Sequence, residues 1–229
     1  MKLIILHILL LNLLMFVPTS TRAEQVDVQI VMAVDVSSSV SYDEFDLQMR
    51  GYIAAFRSPE VISAIGSGAQ GKIAVAMTQW SGLNQQQLVM QWQMISTSED
   101  AEKVARLLEY VPRAFPFGGT AIAPALQHAY SQFGLSGHKS LRRVIDISGD
   151  GKVSVGANPA ALRDYITANG VTINGLPILN EEPDLDGYYL QNILGGPGAF
   201  VEVAKNYSDF SRAISKKLAR EIKAVFYGM

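Results

Sequence analysis

The 229-residue chain contains no cysteine. That removes disulfide frameworks, thiolate nucleophiles, and zinc or iron–sulfur sites with cysteine ligands. Histidine is scarce: there are three, and one of them, His7, falls in the first 23 residues. Only 17% of residues are charged, and a formal net charge of −2 gives no electrostatic attraction to nucleic acid. A serine-hydrolase elbow, Gly-x-Ser-x-Gly, is missing, because Asp146 stands where Ser148 would need a glycine two residues before it. What is abundant is apolar surface: 48% hydrophobic residues and a mean hydropathy of +0.16.

Much of that apolarity sits at the start. Lys2 precedes an almost unbroken apolar run from Leu3 to Val17, and Thr21-Arg22-Ala23 follows before Glu24. A charged start, an apolar run too short for an ordinary bilayer span and a small-residue end read as a secretory signal peptide over residues 1–23. Its removal takes away Lys2 and Arg22 and leaves a more acidic chain, residues 24–229, with no later stretch long enough to span a membrane. The expectation is export, to a periplasm or to the medium.

No repeat or long linker divides residues 24–229, so one domain is expected. Val26 to Val36 is a Val/Ile-rich run suited to a strand buried on both faces. Phe45, Met49, Tyr52, Ile53 and Phe56 recur at helical spacing. Strands are expected at Lys72–Trp80, Gln87–Ile95, Leu141–Ile147, Val171–Leu179 and Ala199–Val203. The second of these should fold back on the first as a hairpin. Helices are expected from Ser98 to the stop at Pro112, around Ile122–Phe133, after Asn158-Pro159 and at Ser208–Phe226. In the Asn158 helix, Leu162, Tyr165 and Ile166 should form the buried stripe. Strands alternating with helices predict a mostly parallel central sheet with one antiparallel edge strand and helices on both faces.

The residues carrying chemistry lie where strands end. Asp35, Ser37 and Ser39 follow the first strand at i, i+2, i+4. Gly118-Gly119-Thr120 places a hydroxyl at the start of a helix, and Ser148-Gly149-Asp150-Gly151 places a carboxylate after another buried strand. Open α/β sheets bind ligands along this carboxyl edge. Two carboxylates and three hydroxyls are hard oxygen donors, suited to Mg²⁺, Mn²⁺ or Ca²⁺.

With these motifs in this order, the sequence from Val26 to the C-terminus resembles the von Willebrand factor A domain, a Rossmann-like α/β fold. It also looks like a group of exported bacterial A-domain proteins. The family's metal-ion-dependent adhesion site joins an Asp-x-Ser-x-Ser motif to a distant Thr and a distant Asp. The resemblance implies that Asp35, Ser37, Ser39, Thr120 and Asp150 hold the cation, the hydroxyls directly or through water and the aspartates largely through water. It further implies that a protein partner completes the metal shell with an Asp or Glu carboxylate. The expected function is a non-catalytic, divalent-cation-dependent binding, adhesion or scaffolding module. A metal-assisted hydrolase using the same cation, and a structural domain with a vestigial site, are the alternatives.

Four residues near the site are open to more than one reading. Asp146 lies inside an apolar strand and needs a partner, which Arg142, Arg143 or a backbone donor can supply, or it supports the metal ligands from behind, as Ser148 and Gly119 can. Trp80 is either a recognition anchor or rim packing. The acidic stretch Asn180–Gly187 reads first as a solvated loop, with tuning of partner choice or a second cation as the other readings; it is no calcium hand, because Ile193 occupies the position of the bidentate glutamate. Gly66–Lys72 imitates a phosphate loop but precedes a strand and is followed by Ile73, not Ser or Thr.

Overall fold

A computed structural model describes residues 23–223. The signal-peptide reading of residues 1–23 and the last turn expected of the closing helix fall almost wholly outside these. The first elements are β1 (Glu24–Gln25), β2 (Gln29–Asp35), α1 (Tyr42–Arg57) and α2 (Pro59–Gly66). The hairpin β3 (Ile73–Trp80) and β4 (Gln86–Ile95) follows, then α3 (Ser98–Leu108), α4 (Ile122–Gln132) and β5 (His138–Lys139). The chain continues through β6 (Arg143–Gly149), α5 (Ala160–Ala168), β7 (Val171–Pro177), α6 (Leu185–Asn192) and α7 (Phe210–Lys223). The main sheet runs β4-β3-β2-β6-β7, parallel except for β4. A two-stranded ribbon pairs β1 with β5.

All seven residues of β2 are buried, and they divide by parity. Ile30, Met32 and Val34 enter a core shared with α1, α2, α3 and α7, whereas Val31 and Ala33 enter the opposite core, shared with α4 to α6. Each Val, Ile or Met side chain among these, fully removed from water, contributes about 1.5–3 kcal/mol. This explains why the continuous apolar run, not alternation, marks the central strand.

Several expectations shift. Two helices were not anticipated. In α2 the Ser58 side chain caps Val61 N with Pro59 in the first turn, and α6 buries Leu185 and Tyr189 where a loop was expected. Ala199–Val203 is not a strand. The segment touches β7 only at isolated bridges, such as Gly175 with Val201, because Gly196 and Gly198 adopt positive φ (91° and 70°) and turn the chain. The buried stripe of α5 narrows to Ile166, since Tyr165 is 57% exposed. The start of α5 moves one residue, with Asn158 Oδ1 accepting from Ala160 N at 2.8 Å. A short 3-10 turn, Tyr207–Asp209, leads into α7.

Asp146 finds its partner on neither Arg142 nor Arg143. Those donate to the main-chain carbonyls of Ile222 and Asn169. Instead Lys217 of α7 places its Nζ 2.5 Å from Asp146 Oδ1 and 2.7 Å from Glu221 Oε1, with all three side chains 0% exposed. Asn174 Nδ2 donates to the same Glu221 oxygen at 2.8 Å, while Glu221 Oε2 is buried without a partner. Burial, and then the charge of Asp146, push the Glu221 carboxyl up to about 8. Because the folded-state value lies above the unfolded one, the native state loses stability as pH rises from about 4.5 to about 8 and then levels off. Glu221→Gln should flatten that decline by up to about 5 kcal/mol. Urea unfolding at pH 5 and pH 8.5 checks it, and parallel pH profiles for the two proteins would refute it.

Candidate metal centre

The expected ligands come from loops at one edge of the sheet because β2 and β6 are parallel neighbours, with Val34 opposite Ser148. Asp35 therefore ends β2 beside the point where β6 runs out into Asp150. The chain leaves β2 toward β3 on one side and returns to β6 on the other, which opens a crevice at these carboxyl ends.

A hydrogen-bonded chain joins four of the five residues. Ser37 N donates to Asp35 Oδ1 at 2.8 Å, Ser37 Oγ and Ser39 Oγ lie 3.1 Å apart, and Ser39 Oγ donates to Asp150 Oδ1 at 2.8 Å. Thr120 is buried, and a Cβ built on Gly151 would lie 3.7 Å from its Oγ1, so its hydroxyl faces the Asp150 loop. Ser154 holds it there, with Oγ accepting from Thr120 N at 2.8 Å.

The electrostatics favour a cation. Asp35 is 0% exposed, and its Oδ2 has no hydrogen-bond partner. Burial, and then the negative charge of Asp150, push the Asp35 carboxyl up to about 8. The Asp150 carboxyl is raised as well, mainly by burial. Two buried carboxyls, one of them with an unpartnered oxygen, beside three hydroxyls fit a hard divalent ion that keeps several waters. Among the described residues no three His, Cys, Asp or Glu side chains converge, so any cation here relies on the hydroxyls.

The remaining candidates separate from this group. Asp146 belongs to the Lys217 cluster. Ser148 is buried with its Oγ 3.4 Å from Tyr52 Oη. Trp80 is 1% exposed and donates from Nε1 to Ala33 O at 3.1 Å, so it is core and presents no anchor to a partner. Gly119 allows close passage: a Cβ there would meet Val155 at 2.8 Å.

Four contributors were missed. Tyr207 Oη donates to Asp150 Oδ2 at 2.9 Å, and the buried Tyr189 hydroxyl, itself unpartnered, has its pKa raised by burial and then by the nearby Asp35 charge. Gln48 Nε2 donates to Asp35 O, and Arg113 donates to the Val36 and Ser37 carbonyls at 3.0 and 2.9 Å. No sequence signal marks the tyrosines, which lie far along the chain. Gln48 was visible only as one polar position within a helix.

Residues 25–226 match the model of a family described as a protein of unknown function, DUF1194. The chain belongs to this family. No curated protein matches it. Among solved structures, proximal thread matrix protein 1 from the mussel byssus superposes with a TM-score of 0.65 at 20% identity, covering 88% of this chain and 48% of that one. Another structure of that protein, described as having a zinc-occupied MIDAS motif, gives 0.60 at 18% identity over 88% and 49%. A von Willebrand factor type A protein from Catenulispora acidiphila gives 0.58 at 14% identity, covering 86% and 43%. The chain thus spans about half the length of these proteins or less. At such identities the likeness shows the fold, which is that of a von Willebrand A domain.

Proposed function

We propose that this DUF1194 chain is an exported, divalent-cation-dependent protein-binding module, without catalytic activity of its own. Asp35, Ser37, Ser39, Thr120 and Asp150 would hold Mg²⁺, or Mn²⁺ or Ca²⁺. A partner's Asp or Glu carboxylate would complete the shell. The observation that carries the reading is Asp35 Oδ2, buried and unpartnered at the end of the central strand beside a second raised carboxyl. An unpartnered buried carboxylate is costly, and a cation removes that cost. The zinc-occupied motif named for the mussel protein supports the same chemistry on this fold.

Calorimetric titration with Mn²⁺ is the test. One site is expected for the wild type, with no measurable heat for Asp35→Ala or Thr120→Ala. Unchanged titration in both variants would sink the site. Metal-dependent hydrolytic turnover lost in Asp35→Ala would replace the reading with a hydrolase.

A further inference from the structure

The candidate metal centre opens onto a rim with two unlike sides. On one side three large apolar side chains stand in solvent: Tyr42 is 67% exposed, Leu83 49% and Phe117 75%. Each is fastened to a segment that carries a candidate ligand. Tyr42 lies three residues after Ser39, and its ring centre is 5.1 Å from the guanidinium of Arg113, which is bonded to the Ser37 carbonyl. Phe117 precedes Gly118, which exchanges two 2.9 Å hydrogen bonds with Ser38. Leu83 lies in the β3–β4 turn, where the Ser81 carbonyl accepts from Ala121 N at 3.0 Å, one residue past Thr120. Single exposed apolar residues are ordinary on a soluble protein, but three fastened to segments that carry candidate ligands bring apolar surface to the same rim.

The other side is acidic. The stretch after β7 carries Glu181, Glu182 and Asp184. Lys152, two residues beyond Asp150, ion-pairs with Glu182 and Asp184 at 3.0 Å each. Asn180 is tied to Glu44 of α1 at 3.2 Å, which holds the stretch against the site. One lysine against three carboxylates leaves this arc negative.

We infer, resting on the cation-dependent reading above, that the partner is a protein segment in which the metal-bound carboxylate has an apolar or aromatic residue on one side and a Lys or Arg on the other. The apolar side chain covers Tyr42, Leu83 and Phe117, where desolvation gives affinity. The basic side chain meets the Glu181–Asp184 arc. That arc also rejects segments with a second carboxylate there, because like charges are brought together.

A displayed library of random 12-residue peptides, selected on the full chain in Mn²⁺, tests this. Three proteins are used: wild type, Leu83→Ser/Phe117→Ser, and Glu181→Lys/Asp184→Lys. All four changed side chains are exposed or on a loop, and a thermal melt checks each fold. Wild type should enrich peptides with one Asp or Glu between an apolar and a basic residue. The serine variant should keep the Mn²⁺-dependent carboxylate but lose the apolar preference, and the lysine variant should exchange the basic residue for an acidic one. A synthetic wild-type-selected peptide should bind each variant about tenfold more weakly. The same enriched sequences from all three proteins, or none from wild type, would overturn the inference. If chelator does not release the peptides and Asp35→Ala selects them equally, the cation reading fails, while the two rim variants still decide the rim.

Discussion

Lys217→Met should lower the unfolding free energy by about 3–5 kcal/mol at neutral pH, because it leaves the buried Asp146 charge without its counter-ion and takes a hydrogen bond from Glu221. Lys217 is the cation that both Asp146 and Glu221 contact, and none of the three is reached by water. Methionine fills much the same volume, so the loss reports charge and not a cavity. The size of the loss therefore does not equal the net worth of the ion cluster. Converting all three together, as Lys217→Met/Asp146→Asn/Glu221→Gln, should recover most of it, since no charge is then left buried and alone. Urea denaturation would show a lower midpoint at unchanged slope for the single variant and a near-native midpoint for the triple variant. A single variant with a native midpoint would mean that the cluster does not hold α7 to β6.

The same cluster shows where sequence reasoning stopped. The need of Asp146 for a partner was legible, because a carboxylate inside an apolar strand cannot stay unpaired. Its chain neighbours Arg142 and Arg143 turn to main-chain carbonyls, and the partner comes from α7, which only the packed fold brings across β6. Local rules carried the sheet well. β2 is a continuous apolar run, β3, β6 and β7 are almost wholly buried although each carries polar residues, and β4 is the partly exposed arm of the β3–β4 hairpin. They failed at α6, whose Gly187 and acidic flank argue for a loop locally while Leu185 and Tyr189 are buried by the tertiary fold. They failed again at Ala199–Val203, where β propensity was outweighed by the glycines before it.

At the candidate metal centre, the candidate ligands were legible because the motif lies on consecutive or loop-bounded residues. The residues that set its electrostatics were not. Trp80 shows the opposite error. Its place at a strand end suggested the rim, but its indole turns inward to Ala33, and the exposed apolar surface is supplied by Leu83 and Phe117 instead.

Asp35→Asn should separate stability from binding at this centre. Asparagine keeps the shape of the carboxylate and its acceptor for Ser37 N, but carries no charge to be desolvated or to face Asp150. In chelator the variant should be more stable than wild type at pH 8, by about 2–4 kcal/mol, because a raised carboxyl weakens the native state once pH exceeds its unfolded value near 3.8. At pH 4 the two proteins should melt together, since the buried carboxyl is then protonated. Added Mn²⁺ should reverse the order. A cation present at 100 times its dissociation constant stabilises the wild type by about 2.7 kcal/mol, and the variant, lacking the charge, should gain nothing measurable. Thermal melts with and without Mn²⁺ at both pH values read all four cases. If the variant in chelator melts below wild type at pH 8, Asp35 is already compensated within the apoprotein. The buried oxygen would then lose its force as a reason to place a cation beside it.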